Sequence, residues 1–218
     1  MESLQTTKNR LKAVKNVGQI TKAMEVVSAT KMRRAQEVAL NSRPYAYYAL
    51  HLLEKLSQNA PIKNSLTSQR KIKKTLLVVI ASDKGLTGAF NTQIFRATDK
   101  FMAHRNFNGG NLLTVAIGKK AAHYATKRKL NVAATFYEVG DYVLPEETDP
   151  ITQFIIQGFN KAEWDEVITI STHFRTALKQ EVLIRELLPI NFKKIHESVK
   201  ELIPEQGKYS DILNLEND

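Results

Sequence analysis

The chain has 218 residues, 43% of them apolar and 25% charged, enough to bury a core in one α/β domain with an appendage. It contains no cysteine, which excludes disulfides, thiolate nucleophiles and cysteine-based metal sites. The formal charge of +10 is unevenly spread: of the 32 Lys and Arg, residues 1–74 hold 15 against four acids, and residues 75–218 hold 17 against 18. A segment this basic points to nucleic acid, a membrane surface or an acidic protein face, or else to a solvated helix face with no partner. No apolar run approaches eighteen residues and Met1 opens onto a polar stretch, so neither a membrane span nor a secretory signal is expected.

From Leu4 to Leu56 the sequence is rich in Ala, Lys, Arg, Met, Gln and Leu, which predicts one long helix. Val17, Ile20, Met24 and Val27, then Ala35 and Val38, then Ala49, Leu53 and Leu56 form a narrow seam of coiled-coil type. Unbroken, such a helix would span about 80 Å. Pro44 is its weak point: it removes a helical hydrogen bond and biases Arg43 away from α, predicting a kink, or a break with Ser42 as the new cap.

A different pattern begins at Thr75. The run Thr75–Ser82 is apolar without alternation, as in a strand buried on both faces. A glycine-containing loop at 83–91 follows, then a helix from Thr92 to about Arg105 and a turn at 108–111. The next elements are a strand at Leu112–Gly118, a helix from Lys119 to about Arg128 and a weaker strand at Thr135–Val139. A helix at Ile151–Ala162 precedes strands at Val167–Thr172 and Glu181–Leu188. This order predicts right-handed βαβ units in a doubly wound, Rossmann-like α/β domain. Phe192–Ile203 reads as a short amphipathic helix before a polar tail. The expected divisions are a basic helix with its linker (1–74), the α/β domain (75–205) and the tail (206–218).

The segment Asp83–Gly88 sits between strand and helix, where a phosphate loop would lie. It lacks the Lys that follows the last glycine of a P-loop, and the three glycines of the dinucleotide fingerprint. Ile117-Gly118-Lys119-Lys120 likewise offers a single glycine, so both loops read as tight turns. His51, His104, His123, His173 and His196 have no metal-ligand spacing. Glu146, Glu147 and Asp149, between Pro145 and Pro150, suit a solvated loop better than an acid/base pair. No catalytic, cofactor or metal site is expected.

The stretch Val14–Gln36 (VKNVGQITKAMEVVSATKMRRAQ) resembles the N-terminal signature of F-type ATP synthase γ subunits, through Ile20-Thr21-Lys22-Ala23-Met24 and Lys31-Met32-Arg33-Arg34. Arg43-Pro44-Tyr45 is similar to the family too, which implies that the helix tolerates this proline. Ser82–Gly88 resembles the family's Ser-Asp-Arg-Gly-Leu-Cys-Gly loop with Lys84 and Thr87 as departures, and Leu187-Leu188-Pro189-Ile190 resembles the motif closing its α/β domain.

The resemblance implies a non-catalytic central-stalk rotor. Its partners would be the catalytic hexamer of α and β subunits, the ε subunit and the membrane c-ring, with membrane association only through the complex. The location would be the cytoplasmic face of a bacterial inner membrane. Contact with the hexamer would fall on Lys12, Lys15, Lys22, Met24, Lys31, Arg33 and Arg34. Family members continue into a second long helix antiparallel to the first. Only seven residues follow Asp211, so that partner helix is expected to be absent and the seam unpaired. The competing readings are a nucleic-acid-binding module with a basic helical arm, and a nucleotide-dependent enzyme on a doubly wound sheet.

Overall fold

The computed structural model describes residues 4–59, 64–105, 107, 110–140, 143–176 and 179–191, and two compact units divide it at Tyr45/Ala46. The first unit is helical throughout its described length. It belongs to α1, Leu4–Asn59, which continues through Pro44 without the expected break. The Ser42 hydroxyl is not a cap; it donates to the Ala39 carbonyl one turn back, at 3.1 Å. Pro44 leaves the Leu40 carbonyl without its usual helical donor. Strong helix formers on both sides supply the propensity that carries α1 past this gap.

The second unit is built on a five-stranded sheet of order β3-β2-β1-β4-β5. Its strands are β1 (Thr75–Ile80), β2 (Leu112–Ile117), β3 (Val132–Phe136), β4 (Glu166–Phe174) and β5 (Gln180–Leu188). The first four are parallel, and β5 pairs antiparallel with β4. That reversal follows from the sequence: only five residues separate β4 from β5, too few for a crossover. The strand order turns at β1/β4, the switch point of a doubly wound sheet.

Helices cover both faces. On one, Ile94 of α2 (Phe90–Arg105) and Ala121 of α3 (Lys119–Lys127) pack with Leu77, Val79, Ala116, Ile168 and Ile170. On the other, Ile151, Ile155 and Phe159 of α4 (Pro145–Asn160) pack with Leu76, Val78, Val115, Trp164 and Val167. Each of these large apolar side chains contributes about 1.5–3 kcal/mol by leaving water. At Gly158 a Cβ would fall 2.1 Å from the Trp164 ring, so α4 can approach the indole only with glycine there.

Two expected boundaries are corrected. The acids at 146, 147 and 149 belong to α4, not to a loop. Pro145 opens the helix, and the Glu147 carboxylate reaches back to accept from the Leu144 and Gly140 backbone N–H groups, each at 2.8 Å. The third strand lies three residues earlier than expected. It ends at Phe136, where Glu138 takes a positive φ of 59°. Val139 packs against the core from outside the ladder, which is why its apolar character misled. The expected helix at 192–203 and tail at 206–218 lie outside the described residues.

Candidate partner-contact site

Every residue from Leu4 to Ala35 is exposed. Large apolar side chains share that exposure, with Ile20 at 60%, Met24 at 45% and Val27 at 56%. The helix uses its own hydroxyls locally: Thr21 donates to the Val17 and Gly18 carbonyls at 3.0 Å, and Thr30 to Val26 at 3.0 Å. Lys22 pairs with Glu25 at 3.1 Å on the surface, whereas Lys12, Lys15, Arg33 and Arg34 have no ion-pair partner among the described residues.

Helical periodicity separates the seven expected contact residues into two groups. On a 3.5-residue repeat, Val17, Met24, Lys31 and Val38 share one position of the seam, and Ala13, Ile20, Val27 and Arg34 share the other. Lys31 and Arg34 therefore stand where apolar residues would continue it. Lys15, Lys22 and Arg33, with Lys12 at their flank, fall on the far side, about 160° round the helix from Met24 and Lys31. One flat partner surface cannot meet both groups.

The loop after β1 is closed by its own side chains. Asn91 Oδ1 accepts from the Ser82 N–H at 3.1 Å, Asn91 Nδ2 donates to Thr87 Oγ1 at 3.0 Å, and Ser82 Oγ donates to the Lys84 carbonyl at 2.6 Å. The Asp83 carboxylate accepts from the Lys119 N–H at 2.9 Å and from the Glu138 N–H at 3.1 Å. Asp83 thus occupies the N-terminus of α3, the position a phosphate held by the Ile117–Lys120 turn would need. Glu138 in turn accepts from Lys119 Nζ at 2.6 Å, and this hydrogen bond and charge raise the Lys119 pKa. Gly118 has φ +94°, and a Cβ there would lie 2.1 Å from the Ala81 carbonyl oxygen. Its glycine serves the close passage of β1, not a ligand.

Among the described residues no group of three or more His, Cys, Asp or Glu is placed to hold a metal, and no helix is long and apolar enough to cross a membrane.

The sequence profile described as ATP synthase matches residues 3–217. The ATP synthase gamma chain of Geobacter metallireducens is 33% identical over 206 residues, covering 94% of this chain and 71% of that protein. The chain belongs to the ATP synthase gamma-chain family. The gamma chain of Geotalea daltonii is 37% identical over 191 residues, which cover 87% of this chain and 66% of that protein. This chain therefore spans about two thirds of the length of the gamma chains it matches. A central-stalk/c-ring structure of the Tetrahymena thermophila mitochondrial ATP synthase superposes with a TM-score of 0.60 at 26% identity, over 87% of this chain and 80% of that one. A rotor chain of the Euglena gracilis mitochondrial ATP synthase shares the fold, with a TM-score of 0.57 at 19% identity over 90% of this chain and 66% of that one.

In this gamma-chain homologue a second cluster escaped sequence reasoning. Asp165 and Glu166, adjacent at the start of β4, face different neighbours. Glu166 is 2% exposed and accepts from Thr75 Oγ1 at 3.0 Å and from both Arg105 Nη atoms at 3.0 and 3.1 Å. Asp165 accepts from the Lys73 and Lys74 N–H groups at 2.9 and 3.1 Å, and Arg70 Nε lies 2.8 Å from its other oxygen. In the sequence these acids fall between the helix expected at Ile151–Ala162 and the strand expected at Val167–Thr172, with no motif to mark them. Their partners lie 61 to 95 residues away, so no local signal could pair them.

Proposed function

We propose that this chain is the γ-type central-stalk rotor component of an F-type ATP synthase, without catalytic groups of its own. The observation that carries the reading is α1, a fully exposed helix over residues 4–35 with cations on opposite faces, in a member of the gamma-chain family. A partner able to meet Lys15, Lys22 and Arg33 together with Met24, Lys31 and Arg34 has to surround the helix, as the central cavity of a ring does. The partner in this reading is the hexamer of α and β subunits, and all seven residues, Lys12 included, are its contacts. The α/β domain would lie toward ε and the c-ring, at the cytoplasmic face of a bacterial inner membrane.

The mechanism is coupling through differential contact. A helix with unlike faces presents different neighbours with different side chains, so each catalytic site is biased toward a different conformation as the helix turns. Exposed ion pairs are worth at most about 1 kcal/mol each, which lets them exchange without trapping the rotor. Two features support the non-catalytic part of the reading: the loop before α2 lacks the P-loop lysine and the dinucleotide glycines, and a phosphate at the start of α3 would meet the Asp83 carboxylate.

The test is assembly with purified α and β subunits of a related enzyme. The expected result is one copy of this chain per hexamer, coeluting and altering ATP turnover, with no ATP binding to the chain alone by calorimetry. Failure to coelute, or micromolar affinity of the isolated chain for ATP, overturns the reading. Affinity for duplex DNA falling steeply with salt would instead favour the nucleic-acid module.

A further inference from the structure

Residues 64–74 precede β1 in the stretch of chain between α1 and the sheet, a position where a flexible linker would absorb twist. They are fastened instead. Asn64 caps a 3₁₀ turn at Ser65–Thr67, with its Oδ1 accepting from the Leu66 N–H at 3.0 Å. Leu66 packs against the α4 face of the sheet, and its carbonyl accepts from the Ile190 N–H at 2.7 Å. At the far end the Asp165 N–H donates to the Lys74 carbonyl at 2.8 Å, and the Asp165 carboxylate takes the Lys73 and Lys74 N–H groups.

Between these ends stands Arg70. Its Nη2 donates to the Phe159 carbonyl at 2.8 Å and to the Trp164 carbonyl, its guanidinium lies 4.2 Å over the Phe159 ring, and its Nε stands 2.8 Å from Asp165 Oδ1 as an ion pair without hydrogen-bond geometry. One planar cation thus joins the linker to the end of α4 and the start of β4. A carboxylate, two carbonyls and an aromatic face are met at once, a combination that the compact ammonium of Lys cannot reproduce.

We propose that Arg70, with Asp165, is the pin that fastens residues 64–74 to the α/β domain, so that rotation reaching this segment is passed on to the domain rather than lost within the segment. Arg70 is a positioning residue, and the inference rests on the rotor reading above for its functional consequence.

The test compares Arg70→Ala, Arg70→Lys and Asp165→Asn in the assembled, membrane-bound enzyme, with hydrogen exchange on the purified chain. The pin predicts that amide exchange at Lys73 and Lys74 accelerates about tenfold or more while β1 and β2 amides stay protected. In the enzyme, ATP hydrolysis persists while ATP-driven proton pumping is lost in Arg70→Ala, and Arg70→Lys fails to restore it. Variants that pump like the wild type, or exchange that rises equally through β1, β2 and the linker in both Arg70→Ala and Asp165→Asn, overturn the pin. If the wild-type chain itself supports no coupled activity, the rotor reading fails, and the exchange pattern alone decides whether the linker is pinned.

Discussion

Asp165 sets burial against hydrogen bonding. Burial pushes its carboxyl up, but the Lys73 and Lys74 N–H groups and the Arg70 charge outweigh that and hold it below the ordinary value of 3.8. A depressed folded-state value means that the carboxylate stabilises the fold above pH 3.8, and that this contribution is lost as the pH falls through the folded value. The melting temperature of the wild type should therefore fall more steeply with pH below 3.8 than that of Asp165→Asn, and parallel curves would remove the argument. Gly118 makes a backbone demand of a different kind. With φ +94° and the Ala81 oxygen 2.1 Å from any Cβ, Gly118→Ala should be destabilised. The conformation alone costs about 1–3 kcal/mol, and the displaced β1 backbone adds to it. Gly85→Ala, at an ordinary φ with nothing within 4 Å, is the control and should melt like the wild type.

At the scale of elements, α1 was the most legible part of the sequence and its proline the least. Composition and apolar spacing gave the helix its extent within three residues at the C-terminal end, since both are local signals. Pro44 read as a break because the rule for proline describes the hydrogen bond lost and not the propensity of the turns around it. Similarly, the prolines flanking Glu146 and Glu147 suggested a loop, although Pro145 is at a helix start, where proline fits. The strands β1 and β2 were readable because burial on both faces leaves an uninterrupted apolar run, whereas edge strand β3 alternates and was displaced. Arg70, Asp165, Glu166 and Asp83 were opaque: their roles exist only after distant segments meet. The basic face of α1 carries a prediction of its own. Arg33→Glu with Arg34→Glu reverses exposed charge on two sides of the helix and should weaken assembly with the hexamer at least tenfold, or about 1.4 kcal/mol. Arg96→Glu with Lys100→Glu on α2 should not, and equal effects in a binding titration would remove α1 as the contact.

For the molecule as a whole, the two units differ in what supports them. The sheet unit has two apolar layers, with Leu76, Leu77, Val115 and Ile170 fully enclosed. The first unit has a helix exposed over residues 4–35, and isolated helices draw most of their stability from packing rather than propensity. Backbone amides of Met24 and Val27 should therefore exchange far faster than those of Val78 and Val115 in the purified chain. Assembly with the proposed hexamer should slow the first pair and leave the second unchanged. Strong protection of Met24 and Val27 in a monomeric sample would mean that α1 is stabilised without a partner.

Trp164, the chain's single tryptophan, is 1% exposed, with its indole against Gly158 and its Nε1–H donating to the Ile155 carbonyl at 3.2 Å. Its fluorescence is consequently a private reporter of the sheet unit and does not register events in residues 4–35. Circular dichroism at helical wavelengths sees the opposite weighting, because α1 supplies 56 helical residues and, among the described residues, the other α-helices have 16 or fewer each. Heating the free chain should thus bleach the dichroism first, with the emission maximum still blue, and the two curves should coincide only when a partner binds α1. The gap between the two curves is a label-free optical readout of whether α1 is engaged by a partner.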